Sequence, residues 1–173
     1  DRIFAEEDGL RSPISEGSVW VIDPIDGTNN FVTQKEDFAV MVAYFEEGIG
    51  QFGLIYDVMR DHLFYGGGEF PVYRNEFELT PFVDQPLENF LIASNVGMLE
   101  KNDWGMADLG MDSLGIRVYG SAGISFSKIL SGGILAYFSY IWPWDYAAAA
   151  IMGEQLGYTV LNLNGDKPNY QTV

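Results

Sequence analysis

The sequence contains no cysteine, a single histidine, few basic residues and no long apolar run. Without cysteine the chain can form no disulfide, thiolate nucleophile or cysteine-based zinc site. The lone histidine, His62, stands in a polar segment typical of a hairpin, and we interpret it as structural. Residues 38–45, an apolar run, are far shorter than the roughly 20 residues of a membrane helix. The opening residues show no signal-peptide pattern.

Acidic residues outnumber basic ones by 25 to 9, which gives a formal net charge of −16. Such a surface repels nucleic acid and anionic membranes, so we expect neither as a partner. It would also repel a phosphate ester unless cations lay between the two. The absence of cysteine fits a reducing compartment, and we expect a cytoplasmic protein.

The 173 residues suit one domain, and a hydrophobic fraction of 47% is enough for a packed core. Residues 1–5 read as a strand already under way, and the sequence stops as abruptly after residue 173, so we expect part of a larger domain. Residues 1–90 are rich in strand patterns, whereas residues 91–173 alternate strand and helix patterns. We expect these halves to form one α/β sandwich with a mixed sheet.

The hydrophobic pattern predicts strands over residues 3–5, 18–23, 38–45, 48–56, 62–65, 91–94, 117–119, 134–140 and 158–163, and helices over residues 122–130 and 145–156. The early strands are spaced as in an antiparallel meander, which three glycines at residues 66–68 are predicted to end. Asp145 is the predicted N-cap of the last helix, in which four alanines favour helix strongly.

The clearest motif is WVIDPIDGTNNF, residues 20–31, which places Asp23 and Asp26 on either side of a Pro-Ile pair. Asp before Pro, followed by Asp-Gly, favours a type I turn, and a turn alone could explain this pattern. The motif by itself therefore does not establish a metal site.

Five acidic residues stand at the ends of predicted elements: Glu6, Glu7, Asp23, Asp26 and Asp145. If their side chains converge, the like charges would raise each other's pKa values and destabilise the site. A divalent cation would remove that repulsion, and oxygen ligands of this kind select Mg²⁺ or Ca²⁺. The positions therefore suggest a metal centre.

Segments in a fixed order resemble the inositol monophosphatase family of Mg²⁺-dependent, lithium-sensitive phosphatases: EED at residues 6–8, WVIDPIDGTNNF at 20–31, GLIYDV at 53–58, YGSAGISFSKIL at 119–130 and PWDYAAA at 143–149. The resemblance implies a layered αβαβα sugar-phosphatase-like sandwich whose first sheet is mixed and largely antiparallel. It also implies a Mg²⁺-dependent phosphomonoesterase that uses metal-activated water, with two or three Mg²⁺ ions per site.

The resemblance also assigns roles to individual residues. The implied metal ligands are Glu6, Asp23, the Ile25 carbonyl, Asp26 and Asp145, with Glu7 replacing Glu6 if the match is shifted by one residue. The implied catalytic residues are Glu6, Thr28 and Asp26, of which Thr28 and Glu6 together would deprotonate the attacking water. Backbone amides of Gly27 and Thr28 would hold the phosphate. The implied substrate contacts are Gly120, Ser121, Ala122 and Asp145.

The substrate stays open at the level of the sequence. In animal inositol monophosphatases a carboxylate shortly before the Trp-Asp pair contacts inositol hydroxyls, whereas residues 137–143 here contain no acid. A small phosphorylated metabolite is expected: inositol monophosphate, a related sugar phosphate, fructose 1,6-bisphosphate or a 3′(2′),5′-bisphosphate nucleotide. A homodimer is expected from the resemblance alone.

Rival classes fit the motif less well. A haloacid-dehalogenase phosphatase needs a nucleophilic aspartate where Pro24 stands. An EF-hand loop beginning at Asp23 would need glycine and glutamate where Thr28 and Gln34 stand. The alternative from another class is a phosphatase-like scaffold that binds a phosphorylated ligand without cleaving it.

Overall fold

A computed structural model describes residues 2–7 and 12–170. Its first sheet has seven strands in chain order: β1 Arg2–Ala5, β2 Ser18–Asp26, β3 Ala39–Glu46, β4 Ile49–Asp57, β5 His62–Gly67, β6 Phe70–Arg74 and β7 Phe77–Glu78. β1 runs parallel to β2, and every other neighbouring pair is antiparallel. The predicted α/β class with a mixed, largely antiparallel first sheet is confirmed.

A second, parallel sheet contains β8 Leu91–Ser94 between β9 Gly115–Arg117 and β10 Tyr137–Phe138. The helices are α1 Thr28–Thr33, α2 Val96–Lys101, α3 Met106–Asp112, α4 Ala122–Leu130 and α5 Pro143–Gln155. α4 and α5 pack against each other and against the first sheet. No helix in the described ranges has the length and apolar character needed to cross a membrane.

Small residues bring α5 very close to the first sheet. The buried face of α5 includes Ala147, Ala148 and Ile151. Below it lies Gly53 on β4, where an added Cβ atom would stand 2.9 Å from Ala148 Cα. Main chain therefore packs on main chain at this point, which fixes the height of α5 above the sheet. Asp145, in the first turn of α5, is placed by the same contact.

Two strand predictions were wrong. Gly66 and Gly67 do not end the sheet; they belong to β5, and the chain continues into β6 and β7. Their φ angles of +126° and +87° are adopted readily by glycine and rarely by other residues. In addition, an added Cβ at Gly67 would lie 2.7 Å from the Ile151 carbonyl oxygen. Here glycine permits close approach of another backbone. Residues 158–163 pair with no strand in the described part of the chain and are irregular.

The short elements were also predicted poorly. Of the strand expected over residues 134–140, only β10 is observed. The strand expected over residues 117–119 is observed slightly earlier in the sequence, as β9. α1, α2, α3, β6 and β7 were not predicted, since elements of two to seven residues carry too few periodic positions to be recognised. Two helices, α4 and α5, were predicted within a few residues of their observed bounds.

Candidate metal centre

Three aspartate carboxylates meet between the first sheet and α5. One oxygen atom each of Asp23, Asp26 and Asp145 lies within 4.8 Å of the other two. Asp23 is 1% exposed and Asp26 is 6% exposed, whereas Asp145 is half-buried. Among the described residues the structure thus brings together three of the acidic positions that the sequence singled out.

A bulge in β2 puts both motif aspartates on one face of the sheet. Side chains alternate along a regular strand, so residues three apart would face opposite sides. Between Asp23, which pairs with Met41, and Asp26, which pairs with Ala39, β2 contains one residue more than β3. Because of this extra residue, Asp26 lies on the same buried face of the sheet as Asp23, and both carboxylates point towards the core. The predicted type I turn is replaced by this bulge within a strand.

Local hydrogen bonds stabilise the bulge. The Ile25 N–H donates to Asp23 Oδ1 at 3.0 Å, and the Thr28 hydroxyl donates to the Ile25 carbonyl at 3.1 Å. Gly27 then takes φ = +84°, and α1 begins at Thr28. The Ile25 carbonyl and the Thr28 hydroxyl, both assigned site roles from the sequence, are therefore neighbours, and Thr28 is exposed.

Asp26 is held by the beginning of α4. The backbone N–H of Ala122 donates to Asp26 Oδ1 at 3.0 Å, and that of Gly123 donates to Oδ2 at 2.8 Å. The Ser121 hydroxyl also donates to Asp26 Oδ2, and it accepts the Ile124 N–H at 3.1 Å as the N-cap of α4. Ser121 and Ala122, expected from the sequence to contact substrate, thus contact a motif carboxylate. Their expected substrate role remains a prediction.

Gly123 contacts the site but was not singled out from the sequence. An added Cβ there would lie 3.1 Å from Asp26 Oδ2 and 2.7 Å from Ala39 Cβ. Only a residue without a side chain lets the helix start come so close to the carboxylate. The available signal was a run of small residues, Gly-Ser-Ala-Gly, at the start of a predicted helix.

Asp145 is not the N-cap of α5, contrary to prediction. The N-cap is Trp142, and Pro143 takes the first helical position, where its missing N–H costs nothing. Asp145 is the third helical residue, and its Oδ2 accepts the Trp142 N–H at 2.7 Å. This bond orients the carboxylate, because it satisfies one of its oxygens from the helix end.

Burial and mutual repulsion raise the pKa values of these carboxyls. Burial is the main cause for Asp23, whose pKa rises to about 9, with further contributions from Asp26, Glu6 and Asp145. Burial is also the main cause for Asp145, whose pKa rises to about 7 although the hydrogen bond from the Trp142 N–H opposes the rise. Burial also raises the pKa of Asp26, while its bonds to Ser121, Gly123 and Ala122 oppose the rise. Without a cation the site therefore retains protons at neutral pH.

The electrostatics favour Glu6 over Glu7 as a member of the site. Both side chains are exposed just after β1. Glu6, and not Glu7, is among the charges that raise the pKa values of Asp23 and Asp145. Asp8, the third residue of the EED segment, lies outside the described residues.

The donor set fits a hard divalent cation. Three converging carboxylates, with a backbone carbonyl and a fourth acidic residue nearby, are the oxygen ligands that Mg²⁺ prefers. A divalent charge would replace the protons that the raised pKa values retain. The arrangement can therefore hold cations and, with them, an anionic ligand that the acidic surface would otherwise repel.

Comparison with known proteins shows which family this chain belongs to. The sequence model of the inositol monophosphatase family matches residues 1–173. The chain belongs to the inositol monophosphatase family. Inositol-1-monophosphatase of Bacillus subtilis (strain 168) is 37% identical over 171 residues, covering 95% of this chain and 64% of the relative. The chain thus spans about two thirds of that protein.

Solved structures of the family superpose closely on this chain. The crystal structure of 2′AMP-bound SaIMPase-II gives a TM-score of 0.92 at 32% identity, covering 99% of this chain and 68% of that one. An IMPase/NADP phosphatase complexed with Mg²⁺ and phosphate gives a TM-score of 0.90 at 26% identity, covering 99% and 65%. The family and fold expected from the sequence are confirmed.

Gly27 lies where the motif touches the beginning of α4, and Gly27→Ala is expected to lower the free energy of unfolding by about 3 kcal/mol. Its φ of +84° disfavours any side chain, and an added Cβ would lie 2.9 Å from Ser121 Cβ and 3.2 Å from the Asp37 carbonyl oxygen. Urea unfolding at equilibrium measures the loss.

Gly132→Ala is the matched control for this change. Gly132 has φ = +73°, and an added Cβ would meet nothing within 4 Å. It therefore measures left-handed strain alone, about 1 kcal/mol. Equal losses in the two variants would contradict the tight packing of Gly27 against Ser121.

Proposed function

We propose that the full-length protein is a Mg²⁺-dependent phosphomonoesterase that hydrolyses inositol monophosphate or a related small sugar phosphate by attack of water. The observation that carries this proposal is the convergence of the Asp23, Asp26 and Asp145 carboxyls, whose pKa values are all raised. Two findings support it: the chain belongs to the inositol monophosphatase family, and a similar solved structure, an IMPase/NADP phosphatase, is complexed with Mg²⁺ and phosphate.

Each residue of the site has a role in this proposal. Mg²⁺ would be held by Asp23, Asp26, Asp145, Glu6 and the Ile25 carbonyl; two or three bound ions would supply the Lewis acidity that favours water attack and offsets charge on the leaving oxygen. The start of α4 orients Asp26, and its three donors favour the charged carboxylate, which opposes the rise in the pKa of Asp26 that burial causes.

The remaining roles concern the phosphate and the proton. Backbone amides at Gly27 and Thr28 stand at the start of α1, where N–H groups have no partner within the helix and can bind phosphate oxygens. Glu6 would take the proton of the attacking water through Thr28, whose hydroxyl would accept that proton while passing its own to the Glu6 carboxylate. For this the Thr28 hydroxyl must turn away from the Ile25 carbonyl, to which it donates at 3.1 Å.

Phosphate release by the full-length protein, with and without Mg²⁺, tests the proposal. The panel contains inositol 1-phosphate, fructose 1,6-bisphosphate and 3′-phosphoadenosine 5′-phosphate, so that it also distinguishes the bisphosphatase and nucleotidase alternatives. Mg²⁺-dependent turnover of inositol 1-phosphate above the other two is the expected result. Tight Mg²⁺ binding without turnover of any of them would favour a scaffold that binds phosphorylated ligands.

Inhibition by millimolar Li⁺, a homodimeric state and a cytoplasmic location are further proposals that rest on the family resemblance and the composition. Li⁺ inhibition is the most informative, since it would act at the metal centre itself. Mg²⁺-supported turnover that millimolar Li⁺ leaves unchanged would contradict the assigned ligand set.

Mg²⁺ binding is expected to release about one to two protons at pH 7, because Asp23 is protonated and Asp145 half-protonated in the metal-free site. Raising the pH removes these protons beforehand, so the apparent Mg²⁺ affinity should rise between about pH 6 and about pH 9. Calorimetric titrations in two buffers of different ionisation enthalpy count the protons. Binding with no proton release across this range would mean that the carboxylates are ionised without metal.

A further inference from the structure

Asn30 is a buried polar residue of the motif to which neither the resemblance nor the proposed chemistry gives a role. It lies on α1 and is 8% exposed. Its amide nitrogen donates to two backbone carbonyls, those of Asp37 at 2.8 Å and Tyr119 at 2.7 Å. Its side-chain oxygen accepts from Gln34 at 3.2 Å. All the polar atoms of the side chain are thus engaged.

The two carbonyls belong to segments that frame the metal centre. Tyr119 directly precedes Gly120 and Ser121, which lead into α4 and its bonds to Asp26. Asp37 lies in the loop between α1 and β3, and its carboxylate forms an ion pair with the Arg60 guanidinium, with 2.9 Å between the nitrogen and oxygen atoms. Asn30 therefore joins the loop around α1 to a segment 89 residues away in sequence.

The side chain of Asn30 is closely surrounded, so it has little room to change its conformation. Gly120 has φ = +70°, and an added Cβ there would lie 3.1 Å from Asn30 Oδ1. An added Cβ at Gly27 would lie 3.2 Å from the same Asp37 carbonyl oxygen that Asn30 binds. The asparagine thus fills the junction at which the motif, the loop after α1 and the beginning of α4 meet.

Only an amide of this size satisfies both carbonyls. Its nitrogen carries two N–H donors, one for each carbonyl, whereas a carboxylate would present only acceptors and alanine would present nothing. Loss of the donors would leave two partly buried carbonyl groups without the Asn30 amide as their partner, which is costly. The segment before α4 would then be free to move away from α1.

We propose that Asn30 is a positioning residue that holds the beginning of α4 against Asp26 and the Gly27–Thr28 backbone, and so fixes the spacing between a metal-binding carboxylate and the expected phosphate amides. The catalytic part of this inference rests on the proposed function; the structural part does not. Asp26 and its three donors come from segments about as far apart in sequence as Asn30 and Tyr119, so the two sets of bonds reinforce each other.

Asn30→Ala tests the proposal, with Asn75→Ala as the matched control. Asn75, exposed in the turn between β6 and β7, also joins backbone groups: its amide donates to the Asp61 carbonyl at 3.0 Å, and its oxygen accepts the Leu63 N–H at 2.7 Å. Both variants are expected to unfold at lower temperature. They should differ in their effect on the site, which a purely stabilising role of Asn30 would leave unchanged.

The direct readout is hydrogen exchange at the Ala122 and Gly123 amides, the backbone donors to Asp26. In the full-length protein, well below the unfolding temperature, both amides should exchange about ten-fold faster in Asn30→Ala and at the wild-type rate in Asn75→Ala. In parallel kcat/KM should fall by about a hundred-fold in Asn30→Ala alone. Asn30→Ser, which keeps one donor, gives the same comparison if the alanine variant does not fold.

Unchanged exchange at Ala122 and Gly123 in the Asn30 variants would overturn the proposal. So would kinetics equal to those of Asn75→Ala at a temperature at which both are folded. If the wild type hydrolyses no phosphate ester, the proposed function fails, while the exchange measurement still decides whether Asn30 positions the helix.

Discussion

Asp23→Asn is expected to abolish Mg²⁺-dependent turnover while leaving the metal-free protein at least as stable as the wild type. The loss of activity should exceed about a hundred-fold, since losing even an outer partner of a metal ligand costs ten- to a hundred-fold. The neutral amide can still accept the Ile25 N–H, which Asp23 Oδ1 now accepts at 3.0 Å. It cannot contribute a negative charge to the cation.

The stability gain depends on pH in a defined direction. The pKa of Asp23 rises from its ordinary value of 3.8 to about 9 in the folded chain. Below the lower value the carboxyl is protonated in both states and costs nothing; as pH rises, the unfolded state gains by ionising. Asparagine removes this cost, so the stability advantage of Asp23→Asn over the wild type should grow steadily between about pH 4 and about pH 9. Urea unfolding in chelator at several pH values measures it.

Asp57→Asn is the matched control, because Asp57 is also 1% exposed but has a charged partner. Its carboxylate accepts from the Arg60 guanidinium at 3.1 Å and from the Arg60 backbone N–H at 3.3 Å. Neutralising it should destabilise the protein by about 2 kcal/mol and spare Mg²⁺-dependent kcat. If Asp23→Asn retained turnover, or lost as much metal-free stability as Asp57→Asn, the assignment of Asp23 to a repulsive metal site would fail.

The grouping of Asp23, Asp26 and Asp145 could be predicted because each stands at the end of a predicted element and in a recognisable motif. What the sequence could not show is how Asp23 and Asp26 reach one face of β2. That depends on a bulge that appears only in the pairing of β2 with β3. Residues three apart in a regular strand would have faced opposite sides.

The environment of Asp26 was also beyond prediction from sequence, because its donors lie about 95 residues away on α4. A glycine and serine before a helix read equally well as a turn with an N-cap, which Ser121 is, and as a ligand-binding segment. Residues 158–163 illustrate the opposite failure. Their β-branched and apolar side chains favour a strand, yet strand formation needs a partner, and none lies beside them in the described part of the chain.

The buried carboxylates that the proposed metal binding requires lower the stability of the metal-free protein. Burial of Asp23 and Asp26 destabilises the metal-free fold, and small residues packed between α5 and the sheet offset part of that cost. The position of α5 is therefore as important for the metal centre as the carboxylates themselves, since α5 brings Asp145 to the other two.

Gly53→Ala should consequently damage both stability and metal binding, although Gly53 touches no carboxylate. An added Cβ would lie 2.9 Å from Ala148 Cα, and backbone cannot give way as a flexible side chain can. We expect α5 to move outward, with a loss of about 3 kcal/mol and a fall in unfolding temperature of roughly 6–12 °C. Because Asp145 moves with the helix, Mg²⁺ affinity should fall about ten-fold or more. Thermal unfolding and Mg²⁺ titration measure the two effects.

Gly97→Ala distinguishes this clash from the mere addition of a methyl group. Gly97 lies in α2, and the nearest atom to an added Cβ, Asn95 Oδ1, would be 3.5 Å away. Alanine is favoured over glycine within a helix by up to about 1 kcal/mol, so this variant should be neutral or slightly more stable, with unchanged Mg²⁺ affinity. A Gly53→Ala protein that lost stability but bound Mg²⁺ as tightly as Gly97→Ala would show that Asp145 does not depend on the contact between α5 and β4.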